Sequence, residues 1–185
     1  MPQRVFEALQ IEGIIKIREE AVFLDSATVK VHPKGTGALK SGKQSIGHSR
    51  GGLTTKIHIV TAFDRSVVGF SLSGGEAHDL PEGIALLAQI KRQKEQIYIL
   101  MDRSCDGYKV RSVAEEKGFI PVVPPKRKRK NPWEYDKECY KHRNKTERCF
   151  LRLKCFRRIF TLYDKLDVIF CGFIYFSMLT DAILM

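Results

Sequence analysis

The sequence predicts an α/β fold in which a mixed, five-stranded sheet carries helices on both faces. Its segments follow in the order strand, strand, strand, helix, strand, helix, strand, helix. Three consecutive strands favour an antiparallel meander, whereas strands separated by helices favour parallel pairing. With 185 residues, 43% of them hydrophobic, the chain can bury one core, so we expect one domain.

The first segments along the chain are a helix, a strand and a loop. Residues 4–19 have a mixed helical pattern, which predicts a short leading helix within residues 1–20. Ala21–Val31 is rich in β-branched and aromatic residues and predicts a central strand. His32–Gly52 is rich in Gly, Ser and Lys, which predicts a long loop that either closes over a bound partner or is disordered.

Three strands and a helix are predicted next. Leu53–Ala62 and Val67–Ser73 are two strands that follow each other closely enough to form a hairpin. Asp79–Arg92 has apolar residues at helical spacing, with Asp79 as the expected N-cap. Ile97–Met101 is a short apolar run, which is typical of a fully buried strand.

The last third of the chain is predicted to be mainly helical. Val168–Met185 is apolar, but it is shorter than the ~20 residues that a bilayer requires, so it predicts a buried helix. The elements before it are a helix at Gly107–Lys117, a strand at Phe119–Val123, a solvated loop at Lys126–Trp133 and a long basic helix at Tyr135–Phe160.

The positive charge of the chain is concentrated in one stretch. The formal net charge is +11, and the pI is near 9.5. Lys126–Arg158 contains 14 Lys or Arg residues and only four Asp or Glu residues. This pattern favours a polyanionic partner, because Lys and Arg neutralise phosphates and release counterions. Composition alone also fits a ribosomal or a chromatin protein.

The cysteines and the N-terminus favour a reducing cytoplasm. The five Cys residues have no CxxC spacing, so neither a disulfide framework nor a zinc ribbon is predicted. The first ten residues lack the apolar core of a signal peptide, so export is not expected. The His residues scatter without ligand spacing, and we do not expect them to bind metal.

Three acids stand where a catalytic site is expected. Asp25 lies within the first strand, Asp102 directly follows the Ile97–Met101 strand, and Glu147 lies on the basic helix. If the first and fourth strands are neighbours, two carboxylates come side by side, and both stay ionised cheaply only with a cation between them. Oxygen ligands favour Mg²⁺ or Mn²⁺ over zinc. Each acid taken alone is more often an ordinary cap or a solvated turn residue.

The basic helix has one face suited to this chemistry. Tyr140, Arg143, Glu147 and Lys154 are separated by three, four and seven residues, which predicts a common face. Glu147 would bind metal, while Arg143 and Lys154 would contact phosphates of the polyanionic partner. A solvated helix in a charge-rich stretch gives the same residues by chance in a fraction of cases.

Several segments resemble bacterial insertion-sequence transposases. The run from Tyr140 to Lys154 matches their Y-x2-R-x3-E-x6-K signature. The chain is similar in particular to the insertion-sequence-5 family, through LDSATVKVH at 24–32, SRGGLTTKIH at 49–58, GEAHDL at 75–80 and YDK at 163–165. The resemblance covers residues 20 to 170, and the segments occur in the family's order.

The resemblance implies a ribonuclease-H-like DDE catalytic domain over residues 21–185. Asp25, Asp102 and Glu147 would be both its catalytic and its metal-binding residues, with Mg²⁺ or Mn²⁺ as cofactor. In the implied two-metal mechanism, one ion activates water or a 3′-hydroxyl and the other stabilises the leaving oxygen. The implied partners are DNA, as element ends and target, and a second copy of the chain, in a nucleoid-associated cytoplasmic setting.

The residues expected to contact DNA are mostly basic. The run Lys126–Lys130 is either a solvated tract or a contact to the DNA backbone, and the neighbouring helix favours DNA. Trp133 is expected to pack rather than to stack on a displaced base. The expected DNA contacts are Tyr140, Arg143, Lys154, Lys126, Arg127, Lys128, Arg129, Lys130 and Arg50.

The chain departs from the family in two places. Relatives read Asp-Arg/Lys-Gly-Tyr-Asp around the second acid, whereas this chain has Ser104 and Cys105 after Arg103, which removes an easy tight turn. About 20 residues precede the first strand, where relatives carry a DNA-binding region, so that part is expected to be encoded separately or lost. The alternatives are a catalytically inactive DNA-binding transposase remnant and, less favoured, a different ribonuclease-H-like nuclease such as a resolvase.

Overall fold

A seven-stranded mixed sheet lies at the centre of the structure, a computed structural model that describes residues 4, 5, 8, 21–37, 42–62, 67–89, 97–105 and 107–184. Except at residues 4, 5 and 8, the predicted leading helix lies outside the described residues. In chain order, the strands are β1 (Ala21–Val31), β2 (Gly47–Ser49), β3 (Gly52–Ala62), β4 (Val67–Gly74), β5 (Ile97–Met101), β6 (Phe119–Val122) and β7 (Thr161–Leu162).

The strand pairing confirms the predicted mixed sheet. β3 is antiparallel to both β1 and β4, which gives the expected antiparallel meander. β5 is parallel to β1, and β6 is parallel to β5. All five predicted strands are present, and the short β2 and β7 are additions that pair with β3 and β1. β1 therefore lies inside the sheet, with β3 on one edge and β5 and β7 on the other.

The helices cover both faces of the sheet, as predicted. They are α1 (Asp79–Gln89), α2 (Tyr108–Glu116), α3 (Lys137–Tyr140), α4 (Asn144–Cys155), α5 (Arg157–Phe160) and α6 (Asp167–Leu184). On one face, Leu24 of β1 packs in a buried cluster with Leu87 of α1. On the other face, Val29 of β1 packs with Leu153 of α4. Because successive strand side chains alternate between faces, Asp25 lies on the same face as Val29 and α4.

α1 approaches β1 closely at Gly83. A Cβ atom at this position would lie 2.5 Å from Leu24 Cδ2, so a larger residue would require the Leu24 side chain or the helix to shift. This close approach brings Asp79, the first residue of α1, against Ser26 of β1.

The prediction of one long helix over Tyr135–Phe160 is wrong. The segment consists of α3, a 3-10 turn at Lys141–Arg143, α4 and α5. Asp136 caps α3 by accepting a hydrogen bond from the Cys139 N–H at 2.8 Å. Phe156 ends α4 with an extended backbone (φ −77°, ψ 113°), and the change of direction lets Ile159 become buried. Helical spacing does not reveal such a break, because no Pro or Gly marks it and the flanking Lys154, Arg157 and Arg158 are good helix formers.

The prediction of one long loop over His32–Gly52 is also wrong for the described part of that segment. Pro33–Gly35 forms a 3-10 turn, and Gly47–Ser49 forms β2. Asp167, the first residue of α6, accepts hydrogen bonds from the N–H and the hydroxyl of Ser45 at 2.7 and 2.6 Å. The carboxylate at the N-terminus of α6 therefore helps to hold this segment against the body of the protein, together with the hydrogen bond that the Thr55 hydroxyl donates to the Ser45 carbonyl.

We expect Asp167→Ala to release the segment around Ser45. The substitution removes both hydrogen bonds to Ser45, and a lost hydrogen bond to a charged group is worth about 1.5–3 kcal/mol. Amide hydrogen exchange at Ser45 should therefore accelerate at least about tenfold, since each 1.4 kcal/mol is a factor of ten. Lys165→Ala, at an exposed neighbouring position, is the control. Equal exchange at Ser45 in both variants would contradict the role of Asp167.

The C-terminal segment forms the predicted helix, α6, but only one of its faces is buried. Phe170, Ile174 and Met178 lie in the core. Val168 and Ile183 remain 73% and 71% exposed. No helix in the described ranges combines the length and the apolar character that crossing a membrane requires.

Candidate functional site

β1 extends beyond the end of β5 and leaves a gap along its edge. β5 pairs with β1 only as far as Leu24, which lies opposite Met101, and β7 pairs with β1 from Lys30 onward. On this edge, residues 25–29 of β1 have no strand partner within the described ranges. Asp25 is the first residue of the gap and Asp102 directly follows β5, so the two acids come side by side at the end of a strand. Ligand sites in open α/β sheets commonly occupy such positions.

Asp25 is the most buried of the three predicted acids, with 18% of its side chain exposed. Its Oδ1 accepts a hydrogen bond from the Ser26 N–H at 2.9 Å. Burial raises the pKa of Asp25 above its ordinary 3.8, the Ser26 N–H and Arg143 lower it, and Asp102 and Glu147 raise it again, with a net upward shift. The hydrogen bond and the positive charge near Asp25 therefore do not fully offset the cost of burying its ionised carboxylate.

Asp102 lies in a more open position, with 40% of its side chain exposed. Its Oδ1 accepts a hydrogen bond from the Arg103 N–H at 2.7 Å, and its carbonyl accepts one from the Cys105 N–H at 2.8 Å. Arg103–Cys105 forms a 3-10 turn in which Cys105 is buried. The chain therefore makes the turn after Asp102 without the expected Gly.

Glu147 reaches the site from the first turn of α4, and 59% of its side chain is exposed. Buried neighbours fix the orientation of this helix. Cys149 and Leu153 pack in the core, and the buried hydroxyl of Thr146 lies 3.2 Å from that of Thr61 on β3. The sheet therefore determines which side of α4 remains open to the gap.

The guanidinium of Arg143 contacts all three carboxylates. Its Nη1 lies 3.3 Å from Asp102 Oδ1, and its Nη2 lies 3.8 Å from Asp25 Oδ2 and 3.6 Å from Glu147 Oε1. Burial alone lowers the pKa of Arg143, but Asp102, Tyr140 and Asp25 raise it by more, so the pKa lies above its ordinary value. Three acids that are remote in sequence thus converge on one permanent cation.

The three carboxylates are suitable ligands for a hard divalent cation, but in this structure they surround the guanidinium of Arg143. Carboxylate oxygens are the ligands that Mg²⁺ and Mn²⁺ prefer. The raised pKa of Asp25 indicates that the positive charge near this carboxylate does not fully offset the cost of burying its ionised form. In this arrangement, no three His, Cys, Asp or Glu side chains of the described residues are grouped so that they could hold a metal ion. The acids are gathered around the guanidinium instead.

A second polar cluster, of which the sequence analysis considered only Asp79, mainly as a helix cap, borders the same site. Asp79 Oδ1 accepts hydrogen bonds from Ser26 Oγ at 2.8 Å and Lys56 Nζ at 3.1 Å, and it lies 3.7 Å from His58 Nδ1. The α1 helix begins at Asp79, and the carboxylate ties this helix end to β1 and β3. All four residues fall within the segments that carry the resemblance, which was the available signal. The depression between the two clusters is lined by Leu24, Asp25, Ser26, His58, Asp79, Asp102 and Cys105.

His58 links Asp79 to Ser73, so that the three side chains have the same order of contacts as a Ser-His-Asp triad. His58 Nε2 lies 2.7 Å from Ser73 Oγ. Burial lowers the pKa of His58, as does Lys56, against the opposing effects of Asp79 and Glu82, so the imidazole is neutral at pH 7. His58 and Ser73 are only 1% and 8% exposed, so the serine cannot reach a substrate. The arrangement stabilises the sheet and offers no nucleophile.

Comparison with known families identifies the chain. The sequence matches the family described as "Transposase DDE domain" over residues 16–175. The chain belongs to the DDE transposase domain family. The matched region includes Asp25, Asp102 and Glu147. None of the curated proteins matches the sequence of this transposase domain.

A solved transposase structure shares the fold of this transposase domain. The cryo-EM structure of the piggyBac transposase synaptic complex with hairpin DNA aligns with a TM-score of 0.55 at 9% identity, covering 99% of this chain and 51% of that chain. The chain thus spans about half the length of the piggyBac chain. The Mos1 transposase paired-end complex with left transposon end aligns with a TM-score of 0.38 at 16% identity, over 65% of this chain and 39% of that chain.

The residues of the transposase domain that were expected to bind DNA lie at different distances from the acids. Tyr140 is adjacent, because its hydroxyl accepts a hydrogen bond from Arg143 Nη1 at 3.4 Å. Lys154 lies near the end of α4, where its Nζ is 3.5 Å from the Thr28 carbonyl, within the gap of β1. The structure therefore brings Tyr140 and Arg143 to the acids, and it brings Lys154 to the same edge of the sheet.

The other predicted DNA contacts are Arg50, which lies farther from the acids, and the run Lys126–Lys130. Arg50 is exposed in the turn between β2 and β3, whose start pairs with β1 at Lys30. Lys30 is five residues beyond Asp25, or about 17 Å along the strand. The run Lys126–Lys130 follows β6, and because β6 is parallel to β5, it leaves the sheet at the same end as Asp102.

Trp133 anchors the basic loop of the transposase domain. Its indole Nε1 donates a hydrogen bond to the Val123 carbonyl at 2.8 Å. The guanidinium groups of Arg111 on α2 and Arg129 in the loop each lie 4.3 Å from its ring centroid. These cation–π contacts hold the loop against α2. Trp133 therefore packs, as the sequence analysis expected.

Proposed function

We propose that this chain is the catalytic domain of a bacterial insertion-sequence DDE transposase of the insertion-sequence-5 family, with a ribonuclease-H-like fold. Its reaction is the cleavage of DNA strands at element ends and their transfer to target DNA. The observation that supports this most strongly is the convergence of Asp25, Asp102 and Glu147 on one cation at the gap beside β1. Membership of the family indicates the class of reaction, and the three acids are suited to binding the metal ions that such a reaction uses.

The three acids are the proposed ligands of Mg²⁺ or Mn²⁺. DDE transposases generally use divalent metals. Such ions, when bound, supply Lewis-acid polarisation of the phosphate and offset negative charge on the leaving oxygen. The chain itself contributes placement: β1 and β5 hold Asp25 and Asp102 rigidly, while α4 brings Glu147 to them. Preorganised charge of this kind lowers the barrier, because the groups need not reorganise during the reaction.

The basic surface around the acids is the proposed DNA interface. Arg143 and Tyr140 would contact phosphates beside the acids, Lys154 would do so farther along the gap, and Lys126–Lys130 would contact the backbone at the Asp102 end of the sheet. Contacts with phosphates fix the position and orientation of a duplex without reading its sequence. Recognition of the terminal repeat would then fall to another DNA-binding part, and two copies of the chain would hold two element ends.

Nicking of a labelled duplex that carries the terminal repeat of the element tests the proposal. We expect nicks in Mn²⁺ and none in EDTA. Glu147→Gln removes one proposed ligand, so the nicking rate should fall at least about a hundredfold, which corresponds to about 2.7 kcal/mol of transition-state stabilisation. The readout is the rate of nicked product in single-turnover conditions.

The control is Glu138→Gln, on an exposed side chain that pairs only with Lys141 within the described ranges. This variant should nick at the wild-type rate. An inactive DNA-binding remnant would bind the same duplex with salt-sensitive affinity and leave it intact in Mn²⁺. Binding without nicking would therefore overturn the enzymatic proposal.

A further inference from the structure

Arg143 occupies the point at which the three proposed metal ligands meet. Its guanidinium lies within 3.8 Å of a carboxylate oxygen of each acid. A divalent ion bound by the same three carboxylates needs the same space. When the ions bind, the Arg143 side chain must therefore either stay beside them or leave the three carboxylates.

The contacts of Arg143 are loose for a permanent structural ion pair. Strong Arg–carboxylate pairs are bidentate, with N–O distances of roughly 2.7–2.9 Å. The contacts here are 3.3–3.8 Å, and within the described ranges the guanidinium makes a hydrogen bond only to Tyr140. Its Nε is buried and has no hydrogen-bond partner among the residues that the structure describes. Charge, rather than matched hydrogen bonds, holds this side chain in place.

The backbone beneath Arg143 is suited to movement. Arg143 ends the 3-10 turn that joins α3 to α4. Short 3-10 stretches within longer helical segments often mark hinges, because their hydrogen-bond geometry is poorer than that of an α-helix. None of its three residues, Lys141, His142 and Arg143, lies in the core.

The balance of charge at the three carboxylates favours release of Arg143 when metal ions bind. Two divalent ions carry four positive charges, against three on the carboxylates. A guanidinium that stayed among them would be repelled by both ions at close range, and a partly buried site screens that repulsion poorly.

We propose that Arg143 is an exchangeable counter-ion: it holds the three carboxylates together in the metal-free protein and leaves them when divalent ions bind. This inference rests on the proposed function, because it takes the three acids to be the metal ligands. Arg143 is a positioning residue in the metal-free state. Its release and the binding of metal are one event, so the guanidinium competes with the ions for the acids.

Mn²⁺ binding by the full chain without DNA tests the exchange. Free Mn²⁺ is followed by electron paramagnetic resonance in wild type, Arg143→Gln and Lys141→Gln. The two variants each remove one positive charge from the same 3-10 turn, but Lys141 pairs with the exposed Glu138 instead of the three acids. We expect Arg143→Gln to bind Mn²⁺ at least about tenfold more tightly than wild type. Lys141→Gln should stay within about twofold, since an exposed pair contributes little.

A measurement on the wild type keeps the inference testable if Arg143→Gln does not fold. The Nε–H resonance of Arg143 is followed by ¹⁵N NMR during a titration with Mg²⁺. Release of the side chain should shift this resonance and accelerate its exchange with water, because the buried Nε becomes solvated. An unchanged resonance at saturating Mg²⁺ would overturn the exchange.

The outcomes separate the two proposals. If folded Arg143→Gln binds Mn²⁺ no more tightly than wild type, the exchange is overturned and the proposed metal site stands. If neither protein binds Mn²⁺, or if Asp25→Asn binds it as well as wild type does, the proposed metal site fails and the exchange fails with it.

Discussion

Asp25→Asn is expected to lower the rate of Mn²⁺-dependent DNA nicking at least about a thousandfold and, in EDTA, to raise the melting temperature at pH 7. Asp25 is the least exposed of the three acids and the only one within a strand, so the backbone and its neighbours fix the position of its carboxylate more firmly than those of the other two. Metal ions contribute several kcal/mol to such a transition state, and each 1.36 kcal/mol is a factor of ten in rate.

The gain in stability follows from the raised pKa of Asp25. The folded protein binds this proton more tightly than the unfolded chain does, because burial penalises the charged form. The stability contributed by the protonated form is complete below the unfolded pKa, near 3.8, and is lost as the pH rises through the raised pKa. At pH 7 the carboxylate therefore destabilises the metal-free fold, and the neutral amide of Asn does not.

Melting curves in EDTA at pH 7 and below pH 4 provide the check. The difference between Asp25→Asn and wild type should be positive at pH 7 and should shrink at the acidic pH, where wild-type Asp25 is also neutral. Mn²⁺ should stabilise wild type more than the variant, because a ligand stabilises the state that binds it. A lower melting temperature of Asp25→Asn in EDTA at pH 7 would contradict this account.

Leu153→Ala is expected to lower the free energy of unfolding by about 2–5 kcal/mol, the range for removing a buried leucine side chain. Leu153 is 1% exposed and packs in the cluster that joins α4 to Val29 of β1 and Ile174 of α6. Few groups nearby can move to fill the space left behind, because the cluster is bounded by the sheet. A loss of this size is a large part of the roughly 5–15 kcal/mol by which natural domains are stable.

Leu151→Ala in the same helix is the matched control. Leu151 is 67% exposed, so its truncation should change the free energy of unfolding by less than about 0.5 kcal/mol. Urea denaturation followed by circular dichroism compares the two variants. Similar midpoints would mean that α4 does not pack on the sheet through Leu153, and the placement of Glu147 would then lose its support.

The sequence itself determined the features that depend on local pattern. The strand pattern of Ala21–Val31 predicted β1, and the acid after Ile97–Met101 marked the end of a buried strand. The spacing of Tyr140, Arg143 and Glu147 predicted their common face, since side chains three and four residues apart adjoin on a helix. Local spacing did not reveal the break at Phe156, because that turn forms where it buries Ile159 in a core built by distant segments.

Only the tertiary structure decided how the acids are arranged. The gap at residues 25–29 arises because β5 ends opposite Leu24 while β1 continues, a register that depends on packing across the whole sheet. The position of Arg143 among three carboxylates, and the bonds of Asp79 to Ser26 and Lys56, join residues that no short pattern relates. Burial and charge act through space, so a site assembled from remote segments becomes visible only when the chain is folded.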